Sequence, residues 1–288
     1  MRILTLAARP GWHTDEIDRA ARERGHEHVL LRYEDLVATL GCGTRILSAN
    51  EALDRADVVL ARIIPKGSLE QIIFRVDVLH VLEESGVSVV NSARAIERSV
   101  DKFWCSALLG AAGLPVPRTV ACESAEAAMV AFRAMGDVIV KPLFGSMGLG
   151  MLRVADADLA YRVFRTIERI QGIFYLQQTV PHPGRDIRAF VLNGRVLGAI
   201  ERSADSWRTN VAQGAQAAAV TLSPELEQLA VHAAEAMGAV YAGVDLLPSS
   251  DGTVYVLEVN GIPGWEGLQQ ATGVDVAGAL LDCVTRAA

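Results

Sequence analysis

Lysine is almost missing from this chain: of 27 cationic residues only Lys66, Lys102 and Lys141 are lysines, and the other 24 are arginines. Where arginine has replaced lysine so widely, the three that remain mark candidate sites for a compact ammonium rather than a planar fork. Cysteine is nearly as sparse. Cys42, Cys105, Cys122 and Cys283 are scattered, form no CxxC and lie near no histidine pair, which argues against a disulfide scaffold and against zinc. No apolar run reaches the ~18 residues of a membrane helix, and the opening MRILTLAARPGW lacks the apolar core of a signal peptide. A basic balance is absent too. The 34 acidic residues outnumber the 27 basic ones, and a net charge of −7 argues against a nucleic-acid partner. With 51% apolar and 21% charged residues in 288, the expectation is a folded, cytoplasmic protein with room for two or three cores.

Apolar patterning orders the chain into three stretches. A strand over 2–8, a helix over 14–25 opened by Thr14 and closed by Gly25, strands over 28–32 and 56–63, a helix over 69–85 and a strand over 87–91 predict a doubly wound parallel sheet. Its ligand edge is expected at the strands' carboxyl ends, at Asn91 and the loop 64–68. No GxGxxG follows the first strand, so nothing there speaks for a dinucleotide. A second stretch runs through a helix (97–113), strands near 117–121 and over 137–142, a glycine loop GSMGLG (145–150), and a strand over 174–180. The last third turns antiparallel, with Asn193-Gly194 and Asp251-Gly252 as hairpin turns and helices over 224–238 and 274–287. The fold class expected is α/β, becoming α+β towards the C-terminus, in three subdomains: 1–91, 92–181 and 182–288.

The second hairpin allows simple arithmetic. If Asp251-Gly252 is a two-residue turn, opposed residues have numbers summing to 503, and Asp245 meets Glu258. Asn260 then projects from the same side. Two facing carboxylates among Val244, Leu246, Val256 and Val259 repel each other and are poorly solvated. A hard divalent cation resolves both problems, and oxygen-only donors point to Mg²⁺ or Mn²⁺.

Lys141 ends an apolar strand, VIVKP, where a bare ammonium is costly unless an anion meets it. The glycine loop that follows is not a Walker loop, but its backbone N–H groups can cover phosphates. Lys102, four residues inside the helix 97–113, is best explained together with Lys141 as two ammonium groups on one polyphosphate. Arg185, Asp186, Arg188, Arg202, Arg208 and Asn210 form a further cluster, with Asp186 and Arg188 on one strand face. The six histidines are scattered, and no Ser-His-Asp or Cys-His set stands out.

In order along the chain, VDK (100–102), IVKP (139–142), GSMGLG (145–150), LQQTV (176–180), PGRDIR (183–188), ERSADSWRTNVAQGAQA (201–217), GVDLL (243–247), LEVNGIPGWEG (257–267) and TGVDVA (272–277) resemble the ATP-grasp superfamily. The resemblance is to its S6-type, RimK-like branch of glutamate and amino-carrier-protein ligases, over about residues 57–285. It implies ATP between the second and third subdomains, with Lys102 and Lys141 on the phosphates and Ser146, Met147 and Gly148 in a mobile cover. Gln178, Thr179 and Val180 would line the adenine, Asp186 the ribose. Asp245, Glu258 and Asn260 would hold Mg²⁺ or Mn²⁺, with two ions expected, while Arg188, Arg208 and Asn210 would contact phosphates or reacting groups. Gln178 departs from the branch's usual glutamate, which removes one carboxylate from the ribose side.

The implied reaction joins a carboxylate to an amine through an acyl phosphate. Water must then be excluded, so the glycine loop and residues 203–215 are expected to close together. Lys66, Arg202, Trp265 and Glu266 are expected to line an anionic-substrate pocket suited to L-glutamate, with Trp12 and Trp265 as stacking surfaces. The segments ARPGWHTDEI and IPGWEGLQ look like ligases that add glutamate to tetrahydromethanopterin, so a small carboxylate-bearing cofactor is the expected acceptor. A protein or peptide C-terminus and a non-catalytic ATP-binding module stand as alternatives. Related ligases are often dimers or tetramers, so a homo-oligomer is expected.

Overall fold

The computed structural model of the protein describes residues 1–41, 43–145, 148–204 and 216–287. Strands β1 (Arg2–Ala7), β2 (Glu27–Arg32), β6 (Val58–Ala61) and β7 (Ser88–Val90) form a parallel sheet in the order β2-β1-β6-β7. Between β2 and β6 lies a small antiparallel sheet that the sequence reading left blank, made of β3 (Leu36–Thr39), β4 (Arg45–Ser48) and β5 (Glu51–Ala52). Helices α1 (Trp12–Glu23) and α2 (Leu69–Glu84) cover the parallel sheet. The chain leaves β1 towards β2 on one side and returns to β6 on the other, so the switch point of the sheet lies between β1 and β6.

Helix α1 starts two residues before the expected Thr14. Its N-cap is Gly11, and Thr14 serves from inside the first turn: its hydroxyl donates to the Gly11 carbonyl (2.6 Å) and accepts from the Gly11 amide (2.8 Å). The single helix expected over 97–113 is two helices, α3 (Ala93–Val100) and α4 (Lys102–Ala111). Asp101 breaks it by turning extended and capping α4, accepting from the Phe103 (2.8 Å) and Trp104 (3.1 Å) amides. Such a cap contributes about 1 kcal/mol. The break puts Lys102 on the first residue of a helix instead of four residues inside one.

The central sheet has the order β10-β9-β11-β8, from β8 (Thr119–Cys122), β9 (Val138–Lys141), β10 (Leu152–Val154) and β11 (Phe174–Gln178). Helices α5 (Ala125–Met135) and α6 (Ala157–Arg169) bury Ala128, Phe132, Ala160 and Phe164 against it. The third sheet is antiparallel, β14-β13-β12-β15-β16, built from β12 (Arg185–Leu192), β13 (Arg195–Ser203), β14 (Gln216–Ala219), β15 (Tyr241–Pro248) and β16 (Val254–Asn260). Helix α7 (Pro224–Met237) joins α4 on one face of it. Helix α8 (Glu266–Thr272) follows β16, and α9 (Val276–Ala287) closes the chain by packing on α1.

The N-terminal sheet and the C-terminal sheet are therefore joined through one core. Ile3, Ile17, Phe190, Tyr241, Trp265 and Leu281 belong to the same buried cluster. Asn91, expected at the ligand edge, instead fastens this joint. Its side-chain oxygen accepts from the Val240 (2.7 Å) and Tyr241 (3.2 Å) amides, and its amide group donates to the Tyr241 and Gly261 carbonyls. Fully buried with its bonding capacity used, it has nothing left for a ligand. No helix among the described residues is long and apolar enough to cross a membrane.

Candidate active site

A cleft enclosing about 910 Å³, part of it open to solvent, lies between the central and C-terminal sheets. One wall is β9 and β11. Lys141 ends β9, and its ammonium donates to the Gln177 side-chain oxygen (2.6 Å), while the Gln177 amide group donates to the Thr119 hydroxyl (3.1 Å). Gln177 is a site residue that the sequence reading missed. Its signal was weak, a buried polar residue inside a strand. Burial pushes Lys141 down to about 8; Glu258 opposes the shift and Lys102 adds to it. The Lys102 ammonium donates to the Gly145 carbonyl (2.6 Å), tying the start of α4 to the glycine loop. Gly148 lines the same cleft, whereas Ser146 and Met147 lie outside the described residues.

Gln178, Thr179 and Val180 also line the cleft. Two of their backbone amides are already used, Gln178 by the Arg118 carbonyl (2.8 Å) and Thr179 by the Asp137 carbonyl (3.0 Å). Val180 is left as the amide of this trio that a purine edge could take. Ile139, Leu149, Met151 and Leu257 supply apolar surface around it.

The opposite wall is the C-terminal sheet. Asp245 pairs with Glu258 across β15 and β16, but by a route other than the expected one. The turn is a three-residue loop: the Ser249 amide donates to the Thr253 carbonyl (2.8 Å), and Gly252 takes φ +90°. Near the tip, pairs such as Leu247 with Tyr255 sum to 502. A bulge at Leu257 then adds one residue to β16 and restores 503 for Asp245 and Glu258. The bulge also lets both Leu257 and Glu258 reach the cleft. Asn260 lies on the same side, its amide donating to Glu258 (3.2 Å).

Asp245 does not face an open space. Arg188 forks onto both its oxygens, and Arg202 adds a contact at 3.0 Å. Burial raises the Asp245 pKa, but Arg188 and Arg202 outweigh it and hold the carboxyl below its usual range. Arg202 is itself forked onto Asp186, with both contacts at 2.7 Å. Two aspartates and two arginines thus neutralise one another across β13, β12 and β15. Gly243 makes room for this: a Cβ there would stand 2.7 Å from the Arg188 guanidinium and 3.0 Å from Pro263. Glu258 and Asn260 offer oxygens without such partners, and their hard donor character fits Mg²⁺. No group of three His, Cys, Asp or Glu residues that could hold a metal occurs among the described residues, so a metal here takes its third protein donor from an amide such as Asn260 or from outside that set.

The expected substrate pocket is not assembled as predicted. Arg202 has its charge consumed by Asp186 and Asp245. Trp265 is 1% exposed, with the Arg62 guanidinium 4.5 Å over its ring and His13 edge-on, so it offers no stacking face. Lys66 and Glu266 are exposed, on the loop before α2 and on the first turn of α8. Arg208 and Asn210 lie outside the described residues, as does most of the segment expected to close over the site.

Residues 99–284 match the family model of the RimK-like ATP-grasp domain, and residues 1–96 that of the RimK PreATP-grasp domain. The chain belongs to the RimK-like ATP-grasp family. As a member it is an ATP-dependent, amide-forming ligase that uses Mg²⁺. It is 33% identical to a tetrahydromethanopterin:alpha-L-glutamate ligase of Methanosarcina acetivorans over 94% of both chains. With the protein of that name from Methanococcus maripaludis it shares 32% identity over 98% of this chain and 97% of the other. Among solved structures, the ATP-grasp ligase PsnB complexed with minimal precursor matches with a TM-score of 0.79 and 25% identity over 99% of both chains.

Proposed function

We propose that this RimK-like ligase adds L-glutamate to a carboxylate of a tetrahydromethanopterin-type pterin, with ATP cleaved to ADP and phosphate. The observation that carries the chemistry is the cleft, where two lysines in a chain of only three share one space with Glu258. The acceptor follows from the end-to-end similarity to two ligases named for that pterin. The acceptor carboxylate takes the γ-phosphoryl group, and the glutamate amine then displaces phosphate to form the amide. Lys102 and Lys141 hold the phosphates, Val180 offers its amide to the adenine, and Asp186 lies towards the ribose. Glu258, Asn260 and Asp245 would hold Mg²⁺, two ions in this reading, with Asp245 releasing an oxygen from its arginines. Bound Mg²⁺ offsets charge on the β- and γ-phosphates. Arg188, Arg208 and Asn210 attend the reacting groups. A protein or peptide C-terminus as acceptor is the second reading, and the similar ligase PsnB is one complexed with a minimal precursor.

The test is ADP release from purified protein with Mg-ATP, L-glutamate and tetrahydromethanopterin, using Glu258→Gln as the blank. Release is expected only with both co-substrates, and not from the variant. Release driven by a glutamate-ended peptide but not by the pterin would move the assignment to the second reading.

A further inference from the structure

A second pocket, enclosing about 580 Å³ with part of it open to solvent, opens at the switch point of the N-terminal sheet. Its walls are the loop after β1 (Ala8, Arg9), the first turn of α1 (Trp12, His13) and the residues after β6 (Arg62, Ile63). Arg62 is 4% exposed. It donates to the Tyr241 hydroxyl (3.2 Å) and the Pro263 carbonyl (3.0 Å), and lies over the Trp265 ring, yet it meets no carboxylate among the described residues. A buried guanidinium with only neutral partners carries an unmatched charge, which is costly to keep.

The other groups around it have the same polarity. Arg9 is exposed at the mouth. The Trp265 amide donates to His13 Nε2 (3.0 Å), which leaves the His13 proton on Nδ1, a donor without a partner among the described residues. Burial, and next the Arg62 charge, depress the His13 pKa to about 4, so the ring stays a neutral donor near pH 7. The amides of Trp12 and His13 begin α1 and have no backbone acceptor within the helix. Donors and unmatched positive charge therefore converge on one cavity, with the half-buried Trp12 ring as an apolar wall.

We infer that this pocket is a binding subsite for an oxyanion group, carboxylate or phosphate ester, carried by the acceptor apart from the carboxylate that reacts. The occupant, though not the anion site itself, rests on the ligase reading above. Pro263 is buried between the two arginine sites: its carbonyl takes the Arg62 bond, and its Cβ lies beside Gly243 where Arg188 passes. An acceptor reaching from the phosphoryl site past Pro263 would set its second anion against Arg62. The Trp12 wall favours a ring-bearing acceptor over free L-glutamate as the molecule held here.

The test separates the subsite from the reaction. With Mg-ADP saturating the ATP cleft, inorganic phosphate and glutarate are titrated calorimetrically into the wild type, Arg9→Gln and Arg62→Met. Binding of either anion to the wild type, weakened at least tenfold in both variants with Mg-ADP affinity unchanged, is the expected result. Phosphate binding alone assigns a phosphate ester, and glutarate binding alone a carboxylate. No anion binding to the wild type, or binding unaltered by Arg9→Gln, overturns the proposal whatever the acceptor proves to be. Arg9 is exposed, so its variant stays informative if Arg62→Met folds poorly. In turnover, the acceptor KM is expected to rise at least tenfold in Arg9→Gln with the L-glutamate KM unmoved; a rise confined to the L-glutamate KM would contradict the assignment of the occupant.

Discussion

Two buried arginine sites in this molecule are built in opposite ways. On the C-terminal sheet, Arg188 and Arg202 are matched by Asp245 and Asp186 across neighbouring strands. At the switch point of the N-terminal sheet, Arg62 has a hydroxyl, a carbonyl and an aromatic face, but no acid. The first arrangement is complete before any ligand arrives, so it fixes the cleft wall and positions Asp245. The second leaves its charge for something that binds. In this pair, the matched charges fix the wall of the cleft, and the unmatched Arg62 charge is the one left for a bound anion.

That contrast can be broken by substitution. Asp245→Asn leaves Arg188 without its carboxylate, while Arg202 keeps Asp186, and the protein is expected to lose about 3–5 kcal/mol of stability, read by urea unfolding without ligands. The next largest effect concerns Lys141, whose folded pKa of about 8 lies below the ordinary lysine value of 10.5. Between these values the unfolded chain binds more protons, so this group makes stability rise with pH through that window. In the proposed site, where the Lys141 ammonium holds phosphate, nucleotide binding is expected to have the opposite dependence. Mg-ADP affinity is expected to fall about tenfold between pH 7 and 9 in the wild type, and to stay flat over that range in Lys141→Arg. The smallest effect is Arg62→Met. It gives up two hydrogen bonds but removes an unmatched charge, so unfolding without ligands should stay within about 1 kcal/mol of the wild type. A loss as large as that of Asp245→Asn would erase the distinction between the two sites.

Much of this was legible in the sequence where the physics is local. The alternation of Asp186 and Arg188, the rarity of lysine and the order of strands and helices each follow from near neighbours. The pairing of Asp245 with Glu258 was reached through two offsetting errors: one extra residue in the turn and one in the bulge at Leu257. Neither is visible in composition, because a bulge is chosen by the twist and packing of the whole sheet. Trp265 was misread for a related reason. Its burial depends on α1 and Arg62, some two hundred residues away in sequence. The break at Asp101 was readable, since an aspartate before KFW is a capping signal, but the apolar run around it concealed the boundary. Arg62 looked like one arginine among 24 until the fold showed what it lacks.

The most direct test of the account is the mass of the product formed from tetrahydromethanopterin, L-glutamate and Mg-ATP. A pterin heavier by one glutamyl residue is expected, with one ADP and one phosphate released for each new amide. ADP and phosphate appearing with the pterin mass unchanged would contradict it.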